Sequence, residues 1–495
     1  MWSAYPIDFT WQRLADLIAY DATRPLLFSS GSFLWLFTGF MLIYALLRHR
    51  TTARLLFVVA FSYYFYYKSS GTYFFLLAIV TLADFFLAQA MGRTSILTKR
   101  KLYLTLSLMV NLGLLAYFKY TNFFLELLAS LWHSTFTPLD IFLPIGISFF
   151  VFQSMSYTID VYRQRIVPLT SLLDYAFFVS FFPTLVAGPI IRAAEFIPQI
   201  RRPLGISRAM IGRGLFLIAC GLIKKVVISD YISVNFVERV FDAPALYSGV
   251  ENLLAVYGYA LQIYCDFSGY SDMAIGLAAL LGFRFPDNFR APYMAISVTD
   301  FWRRWHISLS TWLRDYLYIG LGGNRLGRLR QGINLFITML LGGLWHGAAL
   351  HFLLWGILHG VALVVEKWCA TLWPHWERSR TNRILGWVIT FHFVCLCWLV
   401  FRHEHVSQAW LMLTQIATAF NGHIFLQVID GYAAVITLIV LGYIAHFLPQ
   451  SWSHFMAREW EYLPIWQQAA FMTFIVYVVI QFQNSAVKPF IYFQF

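Results

Sequence analysis

Two histidines carry the chemistry this chain offers most plainly. His346 stands in Gly343-Leu344-Trp345-His346-Gly347, midway along a run of 35 residues from Gln331 to Val365 that holds no charged side chain. A neutral stretch of that length reads as lipid-embedded, and an ionisable group at its centre is costly enough to be a functional candidate by default. His306 stands 40 residues upstream, in Asp300-Phe301-Trp302-Arg303-Arg304-Trp305-His306-Ile307-Ser308. Imidazole exchanges its proton near neutral pH, so the pair points to proton chemistry inside a membrane.

Around His306 the basic residues are dense: Arg303, Arg304, Arg314, Arg325, Arg328 and Arg330. They suit juxtamembrane anchoring to anionic lipid. Arginine also grips phosphate bidentately, so Arg303, Arg304, Arg314 and Arg325, with Asn324 of Leu321-Gly322-Gly323-Asn324-Arg325, form a candidate set for the phosphates of a donor such as coenzyme A or a phosphopantetheine arm. The glycines of that segment equally suit a plain loop. Asp266 and Asp272, within an apolar run, either pair with an arginine inside the bundle or support a catalytic histidine. Their spacing of six does not stack them on one helix face.

His351 and His359 share the neutral run with His346, but offsets of five and thirteen leave neither on the close i+3 or i+4 row. Helix packing or hydrogen bonding is their expected role. His403-Glu404-His405 has no third ligand nearby and reads as a solvated turn at a membrane edge, so no metal is assigned. Cys395-Leu396-Cys397 diverges on a helix, and the five cysteines lie mostly in apolar runs as small buried hydrophobes rather than as an extracellular disulfide framework.

The elements that must position these groups are all membrane helices. Hydrophobic residues make up 59% of the 495 and charged ones 12%, against about a quarter in soluble proteins, and the mean hydropathy is +0.64. The fold class expected is all-α, a polytopic membrane protein. Its 18 Trp, 28 Tyr and 48 Phe exceed what two interfacial belts need, so many must pack between helices or line cavities. The net charge of +12 follows the positive-inside rule rather than a nucleic-acid footprint. Arg48, Arg50 and Arg54 follow the first strong span and Arg93, Lys99, Arg100 and Lys101 the third, which predicts an extracytoplasmic N-terminus. Residues 1–6 lack a basic n-region and an early apolar core, so insertion is expected from the first span rather than a cleavable signal.

Candidate spans fall near 32–48, 55–67, 72–91, 103–118, 121–132, 141–159, 175–191, 211–234, 251–282, 331–365, 384–401, 407–420, 432–448 and 466–482. Some are too short to cross a core of about 30 Å and predict re-entrant or half-length helices. The run 331–365 would extend about 52 Å and is expected to bend at Gly342, Gly343 or Gly347, beside His346. On a wheel, 299–325 is amphipathic, with Trp302, Trp305, Leu309, Trp312, Leu313 and Tyr316 on one arc, which predicts one helix lying in the cytoplasmic interface. Pro144-Ile145-Gly146-Ile147-Ser148 and Phe182-Pro183 through Ala187-Gly188-Pro189 place helix breakers in apolar surroundings and predict broken helices around a cavity. No gap holds a soluble domain and no internal repeat is evident, so residues 1–495 read as a single membrane-embedded domain.

Taken together, Leu143-Pro144-Ile145-Gly146-Ile147-Ser148-Phe149, Phe182-Pro183 through Gly188-Pro189, Asp266-Phe267-Ser268-Gly269-Tyr270-Ser271-Asp272, Phe301 through His306, Leu321 through Arg325 and Leu344-Trp345-His346-Gly347 resemble the membrane-bound O-acyltransferases. The likeness runs from about 143 to 368 and is to the bacterial branch of alginate and peptidoglycan O-acetyltransferases and the teichoic acid D-alanyl transfer protein. It implies a funnel of about 11–14 transmembrane, re-entrant and interfacial helices around a central tunnel. It also implies an activated acyl donor on the cytoplasmic side and a hydroxyl acceptor on the other. The histidine matching His346 is taken as catalytic in such families, and that matching His306 is the second signature histidine.

The resemblance thus implies an O-acyltransferase, expected to move an acetyl group from acetyl-coenzyme A or an acyl-carrier thioester, with no permanently bound cofactor. The expected acceptor is an exported or cell-envelope polysaccharide, reached through an extracytoplasmic partner protein, at the bacterial inner membrane. A hydroxyl is a poor nucleophile, and a base within hydrogen-bond reach contributes roughly 10²–10⁴-fold. A desolvated imidazole stays neutral and able to accept a proton, so His346 is expected to activate the hydroxyl, while His306 orients the donor or stabilises the oxyanion. From the residues alone, a proton-coupled transporter stands nearly level, since intramembrane histidines, acids and broken helices serve carriers as well.

Overall fold

Serine side chains open many of the helices. Ser30, Ser171, Ser207, Ser248 and Ser297 each accept a hydrogen bond from the backbone N–H three residues on, which satisfies one of the donors a helix start leaves unpaired. The computed structural model describes residues 18–21, 25–375, 379–482 and 490. Among these residues every regular element is helical, as the composition predicts. Residues 1–6, on which the signal reading rests, lie outside the described residues.

Five described helices or helix runs are long and apolar enough to cross a membrane: Thr51–Gly92, Leu97–Leu131, Leu350–Leu372, Arg380–Arg402 and Ile465–Phe482. A sixth crossing is formed if Gly422–Gly431 and Ala433–Phe447, bent by 95° at their junction, count as one broken span. Several other apolar runs are shorter or more polar helices, as expected where neighbours satisfy the backbone.

The chain divides into two compact units. The first comprises residues 1–112, 142–186 and 193–204. Its core is aromatic: the Phe182 ring lies 5.0 Å from Phe61, 5.5 Å from Phe40 and 5.8 Å from Phe65. The two breaker motifs meet here. Gly146 has φ +78°, and a Cβ on it would lie 2.8 Å from the Leu185 carbonyl oxygen, so only glycine fits both the conformation and the contact. Deeper in, the buried Asp84 carboxylate accepts hydrogen bonds from Ser107 and Ser154 at 2.6 Å and from Asn111 at 2.7 Å. A buried carboxylate survives in such a core only when it is surrounded by donors.

The second unit comprises residues 113–141, 187–192 and 205–495. A Ser248–Glu251 capping box starts its longest helix, Gly249–Leu280. That helix packs antiparallel on Arg208–Leu222 through reciprocal glycines. A Cβ on Gly221 would lie 2.5 Å from the Gly269 oxygen, and one on Gly276 would lie 2.6 Å from the Gly214 oxygen. Small residues let helix backbones approach closely where lipid supplies no hydrophobic drive. Replacing Gly221 with leucine should force these helices apart and lower the detergent-solubilised protein's thermal midpoint sharply, overpacking costing about 1–3 kcal/mol or more. An unchanged midpoint would contradict this packing. Immediately beyond the Arg208–Leu222 helix, Lys225 pairs with Asp266 at 2.6 Å and Lys224 with Asp272 at 2.7 Å. The two acids are therefore structural ion pairs, made with lysines rather than the expected arginine.

One expectation is met and another changes. The run 331–365 breaks beside His346, starting at Gly347, one of the three expected glycines, with residues 347–349 between the helices Arg328–His346 and Leu350–Leu372. Gly342 and Gly343 stay helical, and Gly343 instead lets the second helix approach, since a Cβ there would run into the Phe352 carbonyl oxygen. The stretch 299–325 is not one helix. Val298–Arg304 ends before Trp305, His306 takes φ 41° as the cap of Ile307–Trp312, and a π-helical turn runs over Leu313–Tyr318.

Candidate active site

His346 is the last residue of the Arg328–His346 helix and is 3% exposed. The helix stops there because Gly347 turns extended at φ −166°, ψ 157°. A Cβ on Gly347 would collide with the Phe352 ring, so the turn closes only on glycine. The imidazole is clamped edge-on by aromatic rings, with centroids 4.9 Å from Trp355, 5.1 Å from Trp345 and 5.4 Å from Phe401.

His306 is fully buried and is delivered by a different device. Its left-handed backbone is an uncommon state for a non-glycine residue, and it is held from the 288–290 loop. The Asn288 carbonyl accepts from Ile307 N–H at 2.9 Å, while its side-chain oxygen accepts from Ser308 N–H at 3.1 Å and from the Ser308 hydroxyl at 3.0 Å. Asn288 in turn donates to Ser271 of the Gly249–Leu280 helix at 3.1 Å, and Ile190 N–H donates to the Ser308 hydroxyl at 3.0 Å. The His306 ring lies 4.5 Å from Phe267 and 5.9 Å from Trp345. Trp345 thus touches both histidines. Burial pushes the His306 imidazole down to about 3, so it is neutral at physiological pH.

Two further groups join them that spacing alone does not disclose. His346 lies within electrostatic reach of His306, Lys119 and His359. His359 is fully buried, its Nδ1 accepting from the Trp302 indole N–H at 3.3 Å and its ring 4.6 Å from Trp355. Hydrogen bonding and packing are its expected role, but the fold also brings it to the pair. The Lys119 ammonium donates to the Trp345 carbonyl at 2.7 Å and the His346 carbonyl at 2.9 Å. A lysine inside an apolar segment is the signal that marks it in sequence.

The candidate donor set is exposed except for Arg304, which is half-buried. Arg304 is tied to Asp300 at 2.9 Å and Arg314 to Asp315 at 2.7 Å. Arg303 and Arg325 are exposed and make no ion pair among the described residues, and Asn324 is exposed beside Arg325. His351 is buried against Phe352, ring centroids 4.0 Å apart. In the 403–405 turn only Glu404 and His405 are exposed. His403 departs from the solvated turn expected there, being buried and stacked 5.1 Å from the Phe241 ring. Of the cysteines, Cys265, Cys395 and Cys397 are buried, as expected.

Two buried imidazoles sharing a tryptophan, with a lysine and a third histidine close by, form a site suited to passing a proton. Known proteins match this chain along most of its length. The sequence model of the membrane-bound O-acyltransferase family matches residues 60–402, reaching further in both directions than the motifs. A peptidoglycan O-acetyltransferase of Helicobacter pylori is 36% identical over 430 residues, covering 80% of each chain. The "Probable alginate O-acetylase AlgI" of Pseudomonas aeruginosa is 41% identical over 393 residues, covering 78% of this chain and 74% of that one. A teichoic acid D-alanyltransferase of Bacillus subtilis is 30% identical over 288 residues, covering 53% and 70%.

Proposed function

The chain belongs to the membrane-bound O-acyltransferase family, and we propose that His346 is the base through which it transfers an acetyl group to a polysaccharide hydroxyl. It is a multi-pass membrane enzyme and an O-acetyltransferase. The donor is a cytoplasmic thioester, acetyl-coenzyme A or an acyl carrier, and no cofactor stays bound. The acceptor is a hydroxyl on the extracytoplasmic side, on a partner protein or on the glycan itself. The chain sits in the bacterial inner membrane with its N-terminus extracytoplasmic, and residues 1–495 work as one acyltransferase domain.

This reading is supported above all by the meeting of His346 and His306 across Trp345, at the end of a helix that stops in apolar surroundings. In the proposed step the acceptor oxygen attacks the thioester carbonyl carbon, a C–O bond forms and the C–S bond breaks. The hydroxyl proton passes to the neutral His346 imidazole and from there to the departing thiolate, which leaves as thiol. His306 faces the same tryptophan and supplies an N–H toward the oxyanion or the donor carbonyl, the kind of preorganised donor whose loss costs about 10²–10³-fold. Donor phosphates fall to the set Arg303, Arg304, Arg314, Arg325 and Asn324. Arg303 and Arg325 carry most of that binding, since carboxylates already occupy the other two arginines.

The test is incubation of purified protein with radiolabelled acetyl-coenzyme A and a soluble glycan acceptor. Thiol release matched by label on the glycan is expected; uptake of substrate with no thiol released would favour a proton-coupled transporter instead. In the same assay Arg325→Ala should raise the donor KM about tenfold, the weight of one charge-assisted phosphate contact, with kcat nearly unchanged. An unaltered KM in the double variant Arg303→Ala/Arg325→Ala would remove both from the donor site.

A further inference from the structure

A helix leaves its last four carbonyls without intrahelical partners. Where the Arg328–His346 helix stops, Gly347 is extended and supplies no left-handed cap of the usual kind. Three of those carbonyls are taken by one neighbouring segment. Tyr120 hydroxyl donates to Leu344 at 2.7 Å, and Lys119 donates to Trp345 at 2.7 Å and to His346 at 2.9 Å. The segment is the π-helical turn Ala116–Tyr120 within the Leu97–Leu131 apolar run. Lys119 has no carboxylate partner among the described residues; its charge is met by the negative end of the helix.

We propose that Lys119 is the positioning residue of the catalytic histidine: a cation that caps the His346 helix and fixes the backbone from which the imidazole projects. The inference rests on the reading of His346 as the base. Without Lys119 the Trp345 and His346 carbonyls lose their donor and only the Tyr120 hydroxyl on Leu344 still caps the terminal turn, so the last residue frays and the backbone bearing the imidazole shifts relative to Trp355 and Phe401. A misplacement of about 1 Å costs roughly 10²-fold in rate. Lys119 donates its hydrogen bonds to carbonyls of the helix end, so its loss should act on turnover and not on donor capture by surface arginines.

The experiment compares Lys119→Met, Lys119→Arg and His346→Ala, each purified and checked for a monodisperse, folded state before thiol release from acetyl-coenzyme A is measured. Lys119→Met should lose about 10²-fold in kcat with donor KM within about twofold of the parent. Lys119→Arg, which keeps a cation able to donate to two carbonyls, should recover at least about tenfold of that loss. A folded Lys119→Met protein with kcat within about threefold of the parent overturns the proposal. So does a folded arginine variant that recovers nothing. If the methionine variant does not fold, the arginine variant decides alone: kcat within about tenfold of the parent supports the cap, and a larger loss in a folded protein overturns it. A fully active His346→Ala protein would instead overturn the reading of His346 as the base, which keeps the two failures distinct.

Discussion

His346→Ala is expected to lower acyl transfer by about 10²–10⁴-fold, the range a positioned base contributes, while the protein still inserts, folds and accumulates. The readout is thiol release from acetyl-coenzyme A by the purified variant. The imidazole also fills space between Trp355 and Phe401, so alanine leaves a cavity and some stability is lost with it. His346→Phe separates the two effects. It keeps an aromatic ring against the same partners but has no nitrogen to accept a proton. The phenylalanine variant should therefore be as inactive as the alanine variant. Undiminished turnover in either would remove His346 from the reaction.

His306→Ala should cost about 10²–10³-fold, as expected for losing a preorganised donor at a developing oxyanion. Here the backbone complicates the outcome, because φ is 41° and the turn is held by Asn288. Asparagine tolerates the left-handed region better than alanine, so His306→Asn preserves the turn without the imidazole. Equal losses in both variants assign the effect to the ring. Recovery in the asparagine variant alone would assign it to the turn. His306 also has a pH signature. Burial holds it near 3 in the fold against 6.5 for an ordinary histidine, so its contribution to stability is fully present above pH 6.5 and is lost as pH falls toward 3. Variants lacking this histidine should therefore unfold less steeply with acid across that window, read as thermal midpoint against pH.

The two histidines are legible in the sequence because each violates its surroundings, an ionisable ring in an uncharged run and a histidine among tryptophans and arginines. The all-helical class follows from composition, and the break near His346 from a neutral run too long for one upright span. The position of the break is not legible, since three nearby glycines look alike until Gly343 is seen packing a second helix and Gly347 the Phe352 ring. The expected single helix over 299–325 fails for a related reason. A wheel presumes continuity, and it registers neither the left-handed turn at His306 nor the Asn288 side chain that holds it. Lys119 lies 227 residues from His346, and Asn288 is an inconspicuous polar residue in a loop; both act through contacts that no local periodicity encodes. That Asp266 and Asp272 need cations is plain from their apolar setting, but only the packing of Arg208–Leu222 on Gly249–Leu280 brings the neighbouring lysines to them.

The proposed mechanism stands or falls on whether the His346 imidazole takes the proton of the acceptor hydroxyl as it attacks the thioester. A structure of the protein with a non-hydrolysable acetyl-coenzyme A analogue decides this. A base reaches its hydroxyl at about 3 Å and that oxygen approaches the carbonyl at about 3–3.5 Å, so the reacting carbon should lie within roughly 6 Å of a His346 ring nitrogen. An analogue bound with its carbonyl well beyond that reach, with no acceptor path between, would exclude His346 as the base.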